Sequence, residues 1–208
     1  WGKTSLVKKV IGDIDREVAI PVFLDVFQCK SDYDFYQSFA NAVIRQTSNK
    51  FDEWIEIAKN FLSNITPKFS FGSDPMNDFS LSFEWNPDNN SETDILQLPE
   101  KIAQKKNVRL IICLDEFQQI ADFNDSLTFQ KKLRTIWQHQ QNVTYCLFGS
   151  KKHLMENIFN DKGMPFYKFG DMMFLKKIPT EEWTRFICDK FRETGKNITS
   201  AQASKICE

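Results

Sequence analysis

The sequence predicts an α/β fold built on a parallel sheet, and three observations carry that prediction. Apolar residues run without alternation from Val108 to Leu114, broken only by Arg109, and end in the acidic pair Asp115-Glu116. A short continuous run of this kind suits a strand buried on both faces, as in the middle of a parallel sheet. Two further runs of the same character, Glu17 to Asp25 and Val143 to Phe148, are separated from it by amphipathic helical stretches. Strands alternating with helices are what build parallel sheets.

Taken in order, Trp1 to Ile11 reads as a helix with Leu6, Val7, Val10 and Ile11 on one face. At its start, Gly2-Lys3-Thr4 is the second half of G-x-x-x-x-G-K-[ST], the phosphate-binding loop. Glycine lets the backbone approach phosphates, lysine reaches the β- and γ-phosphates, and the threonine hydroxyl ligates Mg²⁺; the positive helix end also favours an anion. The plain alternative is a helix N-terminus capped by Thr4 or Ser5. In the strand from Glu17 to Asp25, Pro21 points to an edge position. Ser31 and Asp34 form a capping box for a helix to about Gln46, whose stripe is Phe35, Phe39, Val43 and Ile44. Phe51 to Leu62 is a further amphipathic helix, with Trp54, Ile55 and Phe61.

Residues from about 66 to 91 break this rhythm. Phe69, Phe71, Phe79, Leu81 and Phe83 alternate with polar residues on either side of Gly72 to Asn77, the pattern of a β-hairpin. It reads as an insertion covering the sheet, with a ligand lid as the alternative. Ser91 or Thr93 starts a helix to about Lys105, interrupted by Pro99. Another helix runs from Ser126 to Gln140 with Phe129, Leu133, Ile136 and Trp137 inward, and Arg134 and Gln138 on a solvated face. Met172 to Leu175 reads as a short last strand, and Pro179 opens a helix that starts a small helical subdomain.

The acidic pair sits where ligands bind in open α/β sheets, outside the carboxyl ends of the strands. Two carboxylates there are costly unless a cation or a phosphate-bound metal offsets them; alternatively Asp115 or Glu116 starts a helix through Gln119. The strand from Val143 ends at Gly149-Ser150, where a polar residue would sit beside Asp115 if the two strands are neighbours. Ser150 as a helix cap is the alternative.

Composition bounds the function classes. Of the 208 residues, 41% are hydrophobic and 26% charged, as in ordinary globular domains, and the 20 Phe imply an aromatic core. The balance of 27 basic against 28 acidic residues argues against bulk attraction to nucleic acid or a membrane surface. Cys29, Cys113, Cys146, Cys188 and Cys207 show no CxxC spacing and read as reduced and packed, hence a cytoplasmic location. With His139 and His153 the only histidines, a zinc site is not indicated. No apolar run approaches a membrane span, and none is expected to serve as a signal peptide. The chain opens on Trp1 rather than Met and stops at Glu208 within a helical pattern, so it is expected to be part of a longer protein.

Gly2-Lys3-Thr4-Ser5 before a helix, the LIICLDEF stretch ending in Asp115-Glu116-Phe117, and CLFGS ending in Ser150 together resemble the P-loop ATPases of the AAA+ and STAND type. Trp1-Gly-Lys-Thr-Ser5, Asp115-Glu-Phe-Gln118 and Phe166-Tyr-Lys168 more closely resemble the archaeal/Bacteroidetes-type ATP-binding proteins. The resemblance implies a three-layer P-loop sandwich with strand order 5-1-4-3-2, of which the first strand and first loop glycine are missing here. It also implies ATP and Mg²⁺ as cofactors. By position, Gly2, Lys3, Thr4, Ser5 and Ser150 would bind nucleotide, Thr4 and Asp115 would hold the metal, and Glu116 would polarise the attacking water with Lys3 on the β/γ-phosphates. Lys168 lies near where relatives carry an arginine, but lysine cannot offer its bidentate fork.

The expectation is an ATPase core over residues 1–178 and the start of a helical lid over 179–208. The complete protein would bind and hydrolyse ATP as a nucleotide-driven molecular switch, acting on an effector protein or as a homo-oligomer. The alternatives are a non-hydrolysing scaffold that binds a partner protein, and a nucleic-acid-handling motor using the basic residues of 101–109 and 131–134.

Overall fold

The apolar run ending at Asp115 is the central strand of a three-stranded parallel sheet. In the computed structural model, which describes residues 2–48, 50–62, 66–70, 80–84 and 91–207, β1 (Ala19–Asp25), β4 (Arg109–Asp115) and β5 (Val143–Leu147) lie in the order β1-β4-β5. Ile20 pairs with Leu110 and Asp25 with Asp115 on one side; Leu110 pairs with Val143 and Leu114 with Leu147 on the other. Pro21, which has no N–H to donate, is therefore in an edge strand among the described residues. Two residues on, Phe23 has both backbone groups bound by the Gln46 side-chain amide at 2.8 Å, so a helix side chain substitutes for a ladder partner.

Helices flank both faces. Val22, Leu110, Ile112 and Leu114, at most 1% exposed, form the closed face. α2 (Asp32–Thr47) packs on β1, and α4 (Ser91–Lys106) on β4 and β5. The other face carries Phe23, Cys113 and Asp115, and here lies α1 (Lys3–Gly12), with Lys8 Nζ 4.7 Å from the centre of the Phe23 ring. The expected inward stripe of α1 is not closed: Leu6 and Val10 are about half exposed.

α2 starts as its sequence demands, but only half of the expected box forms. Ser31 accepts from the Asp34 N–H at 3.1 Å, whereas the Asp34 carboxylate turns to the Lys30 N–H, one residue before the cap. α3 (Phe51–Phe61) follows with Trp54, Ile57 and Ala58 buried. β2 (Thr66–Ser70) and β3 (Ser80–Glu84) pair antiparallel; the expected turn from Gly72 to Asn77, with Phe71 and Phe79, lies outside the described residues. Pro99 does not interrupt α4. Proline inside a helix costs about 3 kcal/mol through a lost hydrogen bond and a ring clash together, and the burial of Leu96, Leu98, Pro99 and Ile102 on the same helix offsets it.

An aromatic chain ties the helices to the end of β4. From α2, Phe35 meets Phe129 of α5 (Ser126–Trp137) edge-on at 5.1 Å, and Phe39 stacks on Trp137 at 6.3 Å. Phe117, directly after the acidic pair, packs on Trp137 at 6.4 Å and edge-on to Phe166 at 5.5 Å. Both Phe117 and Phe166 are fully buried. Pairs of this geometry contribute about 0.5–1.5 kcal/mol each beyond area burial, so the segment after Asp115 is firmly anchored. α6 (Lys152–Asn160) then contributes Phe159, 6.1 Å from Phe117.

The chain divides into two compact units, residues 2–171 and residues from 172 on. The second holds α7 (Thr180–Glu193) and α8 (Ser200–Ile206), the latter opened by a full capping box between Thr199 and Gln202. The expected strand at Met172–Leu175 is not formed: these residues have no regular structure, and Met173, Phe174 and Leu175 are 84%, 51% and 49% exposed. Apolar character alone does not make a strand, which needs a ladder for its backbone groups. Among the described residues no helix is long and apolar enough to cross a membrane.

Candidate functional site

Asp115 ends the central strand with its side chain only 6% exposed, and both carboxylate oxygens are engaged. Oδ2 accepts the Thr4 hydroxyl at 2.6 Å, and Oδ1 accepts the Glu116 N–H at 2.9 Å. The first of these bonds joins residues 111 positions apart and brings the start of α1 to the end of β4. Asp25, the register partner of Asp115, instead caps the next turn by accepting the Phe27 N–H at 2.9 Å.

The start of α1 is shaped for this. Gly2 is left-handed at φ 86°, a conformation glycine adopts without steric cost. No side chain caps the helix, so neither Thr4 nor Ser5 takes the capping role. The first intrahelical bond runs from the Leu6 N–H to the Gly2 carbonyl at 2.9 Å. The amides of Lys3, Thr4 and Ser5 precede it and have no intrahelical acceptor, leaving the positive helix end facing outward. Ser5 is exposed and Lys3 half-buried.

Glu116 is held in an unusual backbone conformation, left-handed at φ 51°, which costs a non-glycine residue roughly 1–2 kcal/mol. The neighbouring ladder enforces it: the Phe148 N–H bonds Leu114 O and the Phe117 N–H bonds Phe148 O, each at 3.0 Å. The turn aims the carboxylate away from Asp115 and toward the end of β5. There Glu116 Oε2 accepts the Ser150 hydroxyl at 2.8 Å and the Gln118 side-chain amide. Burial would raise the carboxyl pKa, but these bonds and the nearby Lys3 charge outweigh it and hold Glu116 below the usual carboxylate range.

Ser150 therefore bonds Glu116 rather than Asp115, because the left-handed turn carries Glu116 toward β5. Two residues carry structural relationships the sequence reading did not assign. Gln118, 2% exposed, donates to Glu116 and leaves its own Oε1 without a partner. Arg134 does not lie on a solvated face: its Nη1 donates to the carbonyls of Pro165 and Tyr167 at 3.0 and 3.1 Å, with the guanidinium 5.0 Å from the Phe169 ring centre. That anchors the turn leading to Lys168, which is left-handed at φ 53° and places Nζ 5.4 Å from the Tyr167 ring centre. Only the pairing of a strand with a glycine at its end, Gly149, hinted that a large side chain would need room nearby.

The Thr4 hydroxyl and Asp115 carboxylate form a hard oxygen pair suited to Mg²⁺ rather than to zinc or a soft metal. Among the described residues no group of three His, Cys, Asp or Glu is placed to hold an ion unaided. An ion here would draw further ligands from phosphate and water, the usual situation for Mg²⁺. A separate groove of about 880 Å³ runs between α4 and α5, lined by Glu92, Glu100, Lys101, Lys132 and His139 among others. None of the strand-end residues lines it.

The fold is similar to that of the ORC2 protein of Aeropyrum pernix, solved as ADPNP–ADP complexes, with a TM-score of 0.57 and 14% sequence identity. The match covers 92% of this chain and 42% of that one, so the chain spans less than half the length of this neighbour. At such identity the likeness speaks to fold alone: an α/β architecture with a parallel sheet. No family model matches the chain, and no curated protein matches it.

Proposed function

We propose that this chain is the nucleotide-binding core of a Mg²⁺-dependent ATPase that converts ATP and water to ADP and phosphate. The observation that carries the reading is the 2.6 Å bond between Thr4 and Asp115. Two oxygen ligands with the residue types and order of a phosphate-loop metal site meet at one helix N-terminus, next to Lys3. Support of a coarser kind comes from the fold likeness to a protein solved with ADPNP and ADP.

In this reading the free amides after Gly2 and the Lys3 ammonium receive the β- and γ-phosphates. Thr4 and Asp115 hold Mg²⁺, whose charge when bound offsets that of the phosphates. Glu116, ionised and aimed by its left-handed turn, accepts a hydrogen bond and then a proton from the attacking water. The water oxygen bonds the γ-phosphorus as the bond to the β-phosphate oxygen breaks, and positioning rather than covalent catalysis supplies the rate. Ser150, bonded to the same carboxylate, reports the state of the γ-phosphate to β5. In the complete protein this serves a cytoplasmic switch acting through an effector protein or a second copy of the chain.

The test is isothermal titration of ATP with and without Mg²⁺ on the wild type and Lys3→Ala. Wild-type binding that tightens with Mg²⁺ and is lost in Lys3→Ala is the expected result. Equal affinity in both proteins sinks the assignment.

A further inference from the structure

Gln118 is buried, polar and only half satisfied. Its Nε2 donates to Glu116 Oε2, while Oε1 has no donor among the described residues. Exchanging the two amide atoms would press the carbonyl oxygen against an ionised carboxylate, so charge fixes this orientation. An amide oxygen buried without a partner costs free energy, and Gln118 has kept the arrangement that aims its N–H at Glu116.

The opposing residue is shaped to admit it. A Cβ on Gly149 would stand 1.7 Å from Gln118 Oε1 and 2.9 Å from its Cδ. Gly149 is not among the positive-φ residues, so its backbone does not call for glycine. Its missing side chain serves the space that Gln118 occupies. The next residue, Ser150, donates to the same Glu116 oxygen at 2.8 Å. One carboxylate oxygen is thus held by two side-chain donors, Gln118 from the segment after β4 and Ser150 just beyond β5.

We propose that Gln118 is a positioning residue for Glu116, and that Gly149 is the seat this role requires. This rests on the reading of Glu116 as the group that activates water. Without the amide, the carboxylate of Glu116 swings about its side-chain torsions with only Ser150 to hold it, and fewer conformers face the water.

The experiment measures ATP Kd, phosphate release at saturating ATP and Mg²⁺, and melting temperature in the intact protein. Gln118→Met keeps length and removes both amide atoms. Turnover should fall by about 10–10²-fold, the scale of a misplaced catalytic group, while Kd changes less than about threefold and the melting temperature holds or rises. Gly149→Ala drives a methyl into Gln118 and should lower turnover likewise. The Gly149→Ala/Gln118→Ala double variant should be no slower than Gln118→Ala alone, the non-additivity of two residues acting as one. Wild-type phosphate release in Gln118→Met, or a loss that tracks a falling melting temperature, overturns the proposal. Glu116→Gln is run in parallel: if it turns over normally, the reading of Glu116 falls and this inference with it. If Glu116→Gln is slow while Gln118→Met is not, this inference alone falls.

Discussion

The Thr4 hydroxyl donates to Asp115 Oδ2 at 2.6 Å, across 111 residues of chain. A hydroxyl has one proton to donate and lone pairs left over, so the same oxygens can turn to a cation when one arrives. Thr4→Val keeps the β-branched shape and removes the ligand. Asp115→Asn keeps the shape and removes the charge. Both should lose most of the gain in ATP affinity that Mg²⁺ gives the wild type, while metal-free binding through Lys3 stays within about threefold. Titration with and without Mg²⁺ checks this, and a full Mg²⁺ effect in both variants would remove them from the metal site.

Cys113 and Cys146 are register partners on β4 and β5, and their neighbouring thiols titrate as a coupled pair, one raised and one lowered. The interaction with the Cys146 thiol, together with burial, pushes the pKa of Cys113 far up. At Cys146 the same interaction outweighs burial and brings the pKa down to about 7. The thiolate is the reactive form and is populated above the pKa. Alkylation of Cys146 should therefore climb through pH 7, while Cys113, 1% exposed, and Cys29, pushed up to about 11 by burial, stay unmodified in the native state. Peptide mapping after iodoacetamide at pH 6 and 8 measures it. Equal labelling of Cys113 and Cys146 at pH 8 would contradict the assignment.

What the sequence made legible is what depends on local pattern. The apolar run from Leu110 to Leu114 and the acidic pair after it mark the central strand and its acidic end without help from elsewhere. Pro21 likewise marks an edge strand because a missing N–H acts on the ladder directly. What stayed illegible depends on partners distant in sequence. Gln118 reads as one more polar residue until Gly149 is seen opposite it, and Arg134 reads as solvated until the carbonyls of Pro165 and Tyr167 are seen to meet it. The left-handed turn at Glu116 is set by the Phe148 backbone on another strand, so no local pattern announced that Ser150 would join Glu116. Met172 to Leu175 had the composition of a strand, and composition does not supply the ladder.

Phe166 tests whether the aromatic chain holds the site's shoulder. It is fully buried, edge-on to Phe117 at 5.5 Å and to Phe169 at 5.1 Å, and 5.6 Å from Phe159. Phe166→Ala should cost about 3–5 kcal/mol by lost burial plus a cavity. Phe166→Leu, which refills most of the volume, should cost less than half as much. Denaturant unfolding of both variants gives the comparison, and a cost below about 1 kcal/mol for Phe166→Ala would mean that the cluster packs loosely.

Glu116 carries the claim of hydrolysis and can be tested without disturbing binding. Its carboxylate accepts from Ser150 and Gln118 on one oxygen and feels the Lys3 charge, so it is ionised well below neutral pH. An ionised carboxylate beside the proposed γ-phosphate position can take a proton from water; a neutral amide cannot. Glu116→Gln preserves size and the left-handed backbone, which glutamine tolerates no worse than glutamate, and its amide oxygen can still accept from Ser150. ATP affinity should stay within about threefold of wild type. Phosphate release at saturating ATP and Mg²⁺ should fall about 10²–10⁴-fold, the span of a positioned general base. Glu116→Asp separates charge from reach: it keeps the carboxylate but draws it back by one methylene from Ser150 and the water. It should recover only part of the rate, since misplacement by about 1 Å costs as much as 10²-fold. Phosphate release unchanged in Glu116→Gln would leave that residue a structural link between β4 and β5, with some other group activating the water.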